Sequence, residues 1–471
     1  MLARPRILFV CCHLRWPPIS RGRRRELELL RRVGERFDVH VLVVSKTPAD
    51  DYENAAQLSR HCVAVEVFAA SPQASYGYAA QAGAPQVFRH RCPAATRRVA
   101  ELLQRGDLDL IHVEGFYLMQ HVPPEVEVPV LLVEQNIEYD LARQRSATSP
   151  DDDVLVGMIE TEIAELRSCE QATRVATVTA DDRQLVTEMT GSQEVSVVPD
   201  GADHVPMLRV LREKAEVGHP GEPVLALVAN FAYSPNVDAA LFLCHEVLPL
   251  MRARIPEVNV WLVGNAPPPA VRALAAERIR VTGTVEDVLP FLDAADAIAC
   301  PLRIGGGIKV KVIEALRRGK AVISTSVGAQ GLPSAAREAL LIADDAGSFA
   351  DRAVALLGDP ARRLRQERRA AAAAAHLPTW DQAAASLIDL YRELLERDRV
   401  GPRRSRLSLA PQAGHVQPAT ERVATRERQL TIRRDPVADT QLPVEVEGVA
   451  RRGSLAASGK RLAAGLDDPA A

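Results

Sequence analysis

The sequence predicts an α/β protein of two doubly wound lobes, each built on a parallel sheet, facing one another across a cleft. Three observations carry this expectation. The chain has 471 residues, enough for two full domains. Short β-branched runs alternate with helical patterns twice over, as in parallel sheets joined by crossover helices. Pro199-Asp-Gly-Ala-Asp203 and a charged connector ending at Pro223 separate the two series.

In the first series, strands are expected near residues 7–11, 39–44, 63–68, 108–113, 130–134, 174–178 and 195–198. In the second they are expected near 224–229, 259–263, 279–281, 297–300, 321–324 and 340–342. The lobes are then 1–205 and 206–378, with ligands in the cleft at the carboxyl ends of the strands. A helix over 379–397 carries Leu387, Leu390, Tyr391 and Leu394 at helical spacing and should pack back on the first lobe. Beyond Val400 there is no aromatic residue, and proline, arginine, glutamine and alanine dominate. Residues 400–471 are expected to form a disordered tail.

Composition excludes several classes. The chain is 47% apolar and 25% charged, as ordinary globular proteins are, and its net charge of −3 argues against a nucleic-acid binder. Its seven cysteines show no paired-ligand spacing, so buried thiols in a reducing cytosol are expected, with no metal site. Residues 4–12 imitate a secretory leader, but the apolar core is short and His13, Arg15 and Trp16 follow at once. They read better as a first buried strand. No segment approaches the length of a membrane span, and a cytoplasmic protein is expected.

The clearest chemistry lies between Pro301 and Ser324. A strand ends, Gly305, Gly306 and Gly307 follow, and a helix opens with Lys309 and Lys311 at its start. Such a layout offers backbone N–H groups, a positive helix end and ammonium groups to one anion. The chain has six lysines among its 58 basic residues, and Lys309, Lys311 and Lys320 all fall here. A compact point charge is favoured over a planar fork, which suits a phosphate. Lys311 and Glu314 are roughly 60° apart on a helix and can address one ligand together. Lys309 is roughly 140° from Glu314 and joins them only if the helix begins after it. Glu314 can accept hydrogen bonds from two sugar hydroxyls; read alone, it is an ordinary helix ion pair with Lys311 or Arg318.

The run from Gly305 to Ser324 resembles the signature of glycosyltransferase family 4, the group 1 glycosyltransferases of the GT-B fold. Phe231-Ala-Tyr-Ser-Pro-Asn-Val-Asp238, Val263-Gly264, Val281-Thr-Gly283-Thr-Val285 and Ala295-Asp296 resemble further landmarks of that family. In the first half, the segments beginning at His112, Glu134, Thr179 and Val198 fit in order. The resemblance covers about 1–395. It implies transfer of a sugar from a UDP- or GDP-sugar donor to a glycan, lipid-linked or small-molecule acceptor, with retained anomeric configuration and no cofactor or metal.

By position, Glu314 would hold the ribose hydroxyls, and Gly305, Gly306 and Gly307 with Lys309 and Lys311 would face the diphosphate and donor sugar. Arg303 joins this donor set, Gly283 and Val285 would meet the base, and the N–H of Gly22 the phosphates. The departures are specific. Relatives often carry a glutamate where Gly306 stands, and a cation within the stretch that here reads Asn230 to Asn236. Many place a histidine near the end of the fourth strand, where this chain has Glu114, with His112 two earlier. Glu114 is then a candidate for stabilising oxocarbenium-like charge or orienting the acceptor, and Glu138 is its rival. Asp203 more simply fixes a turn. The basic helix after Arg21 suggests peripheral membrane contact, although a solvated amphipathic face explains it as well. A nucleotide-sugar epimerase and a catalytically silent partner protein on the same scaffold are the alternative functions.

Overall fold

The computed structural model describes residues 4–14, 21–58, 60–71, 84–148, 152–207, 222–400, 420–424 and 429–434. The first sheet comprises β1 (Arg6–Cys11), β2 (Asp38–Ser45), β3 (Ala64–Ala69), β4 (Leu110–Glu114), β5 (Val130–Glu134), β6 (Arg174–Thr177) and β7 (Val195–Val197). These seven run parallel in the order β3-β2-β1-β4-β5-β6-β7. The second sheet comprises β8 (Val224–Val228), β9 (Asn259–Val263), β10 (Ile279–Gly283), β11 (Ala297–Cys300), β12 (Val322–Ser324) and β13 (Leu341–Ile342). Its order is β10-β9-β8-β11-β12-β13, again all parallel. Every strand expected from the sequence forms. Their side chains are buried over consecutive positions, as sheets covered by helices on both faces require.

Within 400–471, where a disordered tail is expected, the structure describes two short strands. β14 (Thr420–Ala424) and β15 (Gln429–Arg434) pair antiparallel, and β15 adds in parallel to the edge of β3. An uncovered edge strand offers a row of backbone donors and acceptors, and β15 takes them.

Strand order reverses between β1 and β4 in the first sheet and between β8 and β11 in the second. At such switch points the loops leave in opposite directions and open a crevice. The ends of β1 and β4 carry Cys12, His13 and Glu114, and the ends of β8 and β11 carry Asn230–Asn236 and the glycine run.

The chain crosses between lobes twice, and the crossings are tied together. Ala202 N–H donates to the Pro378 carbonyl at 2.8 Å, and Trp380 N–H donates to Asp203 at 2.7 Å. Asp203, expected to fix a local turn, instead ties the two crossings by accepting the Trp380 N–H. A Cβ at Gly201 would lie 2.4 Å from the Trp380 nitrogen, so only glycine fits between the crossings. From Trp380 the helix Trp380–Val400 lays Leu387, Tyr391 and Leu394 into the first-lobe core beside Phe9, Phe37 and Val41. No helix among the described residues is long and apolar enough to cross a membrane.

A buried ion group fastens the outer edge of the first sheet. Glu66 on β3 meets Arg98 Nε at 2.8 Å and His40 Nε2 at 2.8 Å. Burial alone would raise its pKa, but His40 and Arg98 hold it down at about 2. A lowered carboxyl pKa stabilises the fold above the unfolded value near 4.5, and that stability is lost as pH falls toward 2. Glu66→Gln should cost about 3 kcal/mol at pH 7 and much less at pH 3, measured by urea denaturation at both.

Candidate functional site

β11 ends against Pro301, and the loop that follows is held from beneath. Thr325 donates its hydroxyl to the Leu302 carbonyl, and Gly328 N–H donates to Thr325 Oγ1 at 3.0 Å. Gly307 has φ 60°, a left-handed conformation that a side chain would strain. The glycines thus form an arc with no Cβ between backbone and cleft.

The three lysines of this stretch do different work. The helix Val310–Arg317 begins just after Lys309, which is the condition for Lys309 to share a ligand with Glu314. Yet Lys309 is buried, and its ammonium donates to the carbonyls of Gly306 at 3.0 Å and Gly307 at 2.8 Å. It braces the arc. Lys320 faces away altogether, donating to the Asp293 carbonyl at 3.0 Å. Lys311 instead reaches across to the segment after β8. Its ammonium donates to Asn236 Oδ1, and Asn236 is fixed by its own donation to the Asn230 carbonyl at 2.7 Å. The stretch from Asn230 to Asn236 has no cation in sequence, and Lys311 supplies one in space. Burial lowers the Lys311 pKa, and Cys300 and Glu314 partly restore it.

Glu314 lies one turn along the same helix face, with Oε1 3.7 Å from His204 Nε2. It also bears electrostatically on Arg24, whose pKa burial lowers and Glu314 raises. Arg24 is a residue that sequence reasoning missed, read as one more charge on a basic helix. That helix, Arg21–Val33, holds Gly22 in its first turn rather than in a preceding loop. Its arginines mostly serve the protein. Arg24 faces Glu314, Arg25 is wholly buried, and Arg32 binds Asp381 and Glu28.

Other predicted donor residues are spread more widely. Arg303 binds Asp238 through Nε at 3.0 Å and Glu246 through Nη1 at 3.2 Å, lying over the Phe242 ring. It is not aimed at the arc. Gly283, with φ 70°, ends β10 beside a register shift, and, its chain neighbours aside, no atom of the described residues lies within 4 Å of where its Cβ would be. That open edge is compatible with a flat base. Val285 instead packs partly on the second-lobe core.

Glu114 is 1% exposed, and its oxygens are taken. Oε1 lies 3.0 Å from His112 Nε2 and 3.7 Å from Arg25 Nε, and Oε2 accepts from Gln135 at 2.8 Å. His112 stacks on Phe9, and its Nδ1 is 2.6 Å from the Tyr391 hydroxyl. A neutral imidazole with its proton on Nε2 satisfies both partners, and burial lowers the His112 pKa. Burial would raise the Glu114 pKa, but Arg25 and His112 lower it. Arg25 completes the group by donating to Asp200 at 2.8 Å and to the Val198 and Pro199 carbonyls. Glu114 therefore supports the cleft from below.

The cleft wall opposite the arc is the helix Glu138–Thr148. Glu165 caps its first turn, accepting from Glu138 N–H at 3.0 Å and Tyr139 N–H at 2.9 Å. From that helix Gln144 Oε1 accepts the Gly305 N–H at 2.9 Å, and a Cβ at Gly306 would stand 3.4 Å from Leu141. Further in, Cys12 Sγ lies 2.8 Å from His13 Nδ1, and His13 Nε2 lies 3.5 Å from Glu26. These are metal-ligand types, converging within 4.8 Å where no such cluster was expected. Burial and Glu26 push the Cys12 thiol up to about 12, so a protonated thiol donating to His13 accounts for the contact.

Comparison with known proteins agrees with this layout. Residues 222–359 match the family model described as Glycosyl transferases group 1. Alr3699/HepE of Anabaena, solved in complex with UDP and glucose, superposes with a TM-score of 0.59 at 14% identity, covering 83% of this chain and 100% of that one. A glycosyltransferase from Rickettsia africae superposes at 0.54 and 13%, covering 83% and 99%. At these identities the likeness shows the two-lobed fold. An uncharacterized 44.6 kDa protein from the cps region of Klebsiella pneumoniae is 25% identical over 132 residues, 26% of this chain. The chain spans about a third of that relative, 34% of its length.

Arg25 is a charge enclosed on all sides. Glu114→Ala would remove one of its carboxylates and strand His112, and should cost about 3–5 kcal/mol, read from urea denaturation.

Proposed function

We propose that this GT-B chain is a group 1 glycosyltransferase, a retaining transferase that moves a sugar from a nucleoside diphosphate to an acceptor hydroxyl. The observation that carries this reading is Lys311. It is a partly buried ammonium one helical turn from Glu314, beside an arc of bare backbone, at the switch point of the second sheet.

The chemistry follows from charge. When the sugar leaves, a negative charge grows on the diphosphate. Preorganised donors aimed at that charge lower the barrier most, because they need no reorganisation at the moment of reaction. Lys311 and the N–H groups entering its helix are such donors, and they take the part that a metal ion plays in other transferases. Lys309 keeps the arc in shape by holding its carbonyls. Glu314 would receive the ribose hydroxyls, with Gly283 at the open edge for the base. The Gly305 N–H is held by Gln144 of the first lobe, so donor entry would have to displace that contact or seat beside it. The first lobe receives the acceptor, and closure about the tied crossings excludes water. The Anabaena protein's complex with UDP and glucose supports a uridine nucleotide as the first donor to try.

Two other readings share the scaffold. An epimerase would release no free nucleoside diphosphate as sugar is converted, and a silent partner protein would neither hydrolyse nor transfer.

Lys311→Met and Glu314→Ala should each weaken UDP binding at least tenfold in calorimetric titration, with the fold intact by circular dichroism. Unchanged affinity in both would refute the assignment of the diphosphate site. Nucleotide release from UDP-glucose or GDP-mannose, with a chelator present, separates the transferase from both alternatives.

A further inference from the structure

The glycine arc has no carboxylate of its own, Glu114 is sealed beneath the floor, and Glu314 is committed to the ribose side. Besides the departing diphosphate oxygen itself, a group to receive the acceptor proton can come from the facing wall. We propose that Glu138, at the start of the first-lobe helix that docks on the arc, holds the attacking hydroxyl and takes its proton. This rests on the transfer reading above and adds the residue that acts on the acceptor.

Position is the main support. The helix Glu138–Thr148 sets Leu141 against Gly306 and Gln144 on the Gly305 N–H. Glu138 is three residues before Leu141 and seven before Arg145, roughly 60° and 20° around the helix, so the three share a face. That face looks across the cleft, because Arg145 bonds the Tyr233 hydroxyl of the second lobe. Glu138 thus stands on the first-lobe wall about one turn, roughly 5 Å, along from the arc. An acceptor lying against the donor sugar would pass it.

The surroundings suit a proton acceptor. Gln86 donates to the Glu138 carboxylate, and Arg145, Arg89 and Lys46 bear on it from three separate segments. Glu134 and Glu165 oppose them from the end of β5 and from the helix Asp152–Gln171. Tyr117 also lies within its field. Burial raises the Glu138 pKa and the three cations only partly reverse it, leaving the carboxylate a stronger base than usual. In the step, the acceptor oxygen bonds to the anomeric carbon on the same face from which the diphosphate oxygen departs, so the configuration is retained. The electron pair leaves with the diphosphate, beside Lys311. The hydroxyl proton passes to Glu138 and then to solvent.

Water can stand in for the acceptor, so the test needs only UDP and whichever of UDP-glucose and GDP-mannose is hydrolysed faster. Glu138→Gln should leave the affinity for UDP within about twofold and slow nucleotide release about a hundredfold. The acidic limb of the wild-type pH–rate profile should flatten in the variant. An unchanged release rate would overturn the proposal, and so would UDP affinity falling in step with rate, which would mark Glu138 as a support for lobe docking. Failure of the transfer reading looks different: wild-type protein would release no nucleotide from either sugar, or Lys311→Met would bind UDP as tightly as wild type.

Discussion

Arg25 is the constraint on which the rest of the molecule is arranged. A guanidinium cannot shed its charge, so once buried it must be surrounded by acceptors. Here they come from parts of the chain far apart in sequence: Glu114 at the end of β4, Asp200, and the carbonyls of Val198 and Pro199 where the chain leaves the first lobe. His112 and Tyr391 extend the group to the helix that returns from the second lobe. Both crossings between lobes are thereby referred to one point in the first sheet. The arc and the facing helix then meet directly, through Gln144 on Gly305 and Leu141 beside Gly306.

The same logic separates residues of one type. Three lysines cluster in sequence, yet one braces loop carbonyls, one braces a carbonyl on the far side, and one reaches the cleft. The difference is where each ammonium finds acceptors. Lys309 finds them two and three residues back, because glycines let the loop fold over its side chain. Lys320 finds the carbonyl of Asp293. Lys311 meets the side-chain oxygen of Asn236, a partner that an incoming phosphate can replace. The concentration of lysines pointed to one segment, and the folded chain gives its three ammonium groups three different sets of acceptors.

The missing cation and the missing carboxylate have a common explanation in this geometry. The stretch Asn230–Asn236 has no cation of its own, but Lys311 stands beside Asn236, and the first-lobe helix faces Gly306, where no carboxylate stands. Bare glycine at that spot makes room for close docking of the two lobes, as the contact with Leu141 shows. A larger side chain there would have to displace the tip of Leu141.

What the sequence alone determined is what depends on neighbours along the chain. Runs such as Leu110–Glu114 and Val224–Val228 announce buried strands because their side chains are apolar at successive positions. Lys311 and Glu314 share a face because three residues of helix always turn by nearly the same angle. The tertiary structure decided everything that needs a distant partner. It sealed Glu114 and Arg25 together, turned Arg24 from a supposed surface charge toward Glu314, and brought Glu138 to the cleft. Those outcomes rest on ion pairs and hydrogen bonds between segments that only the folded sheets bring within reach, and no local pattern encodes them.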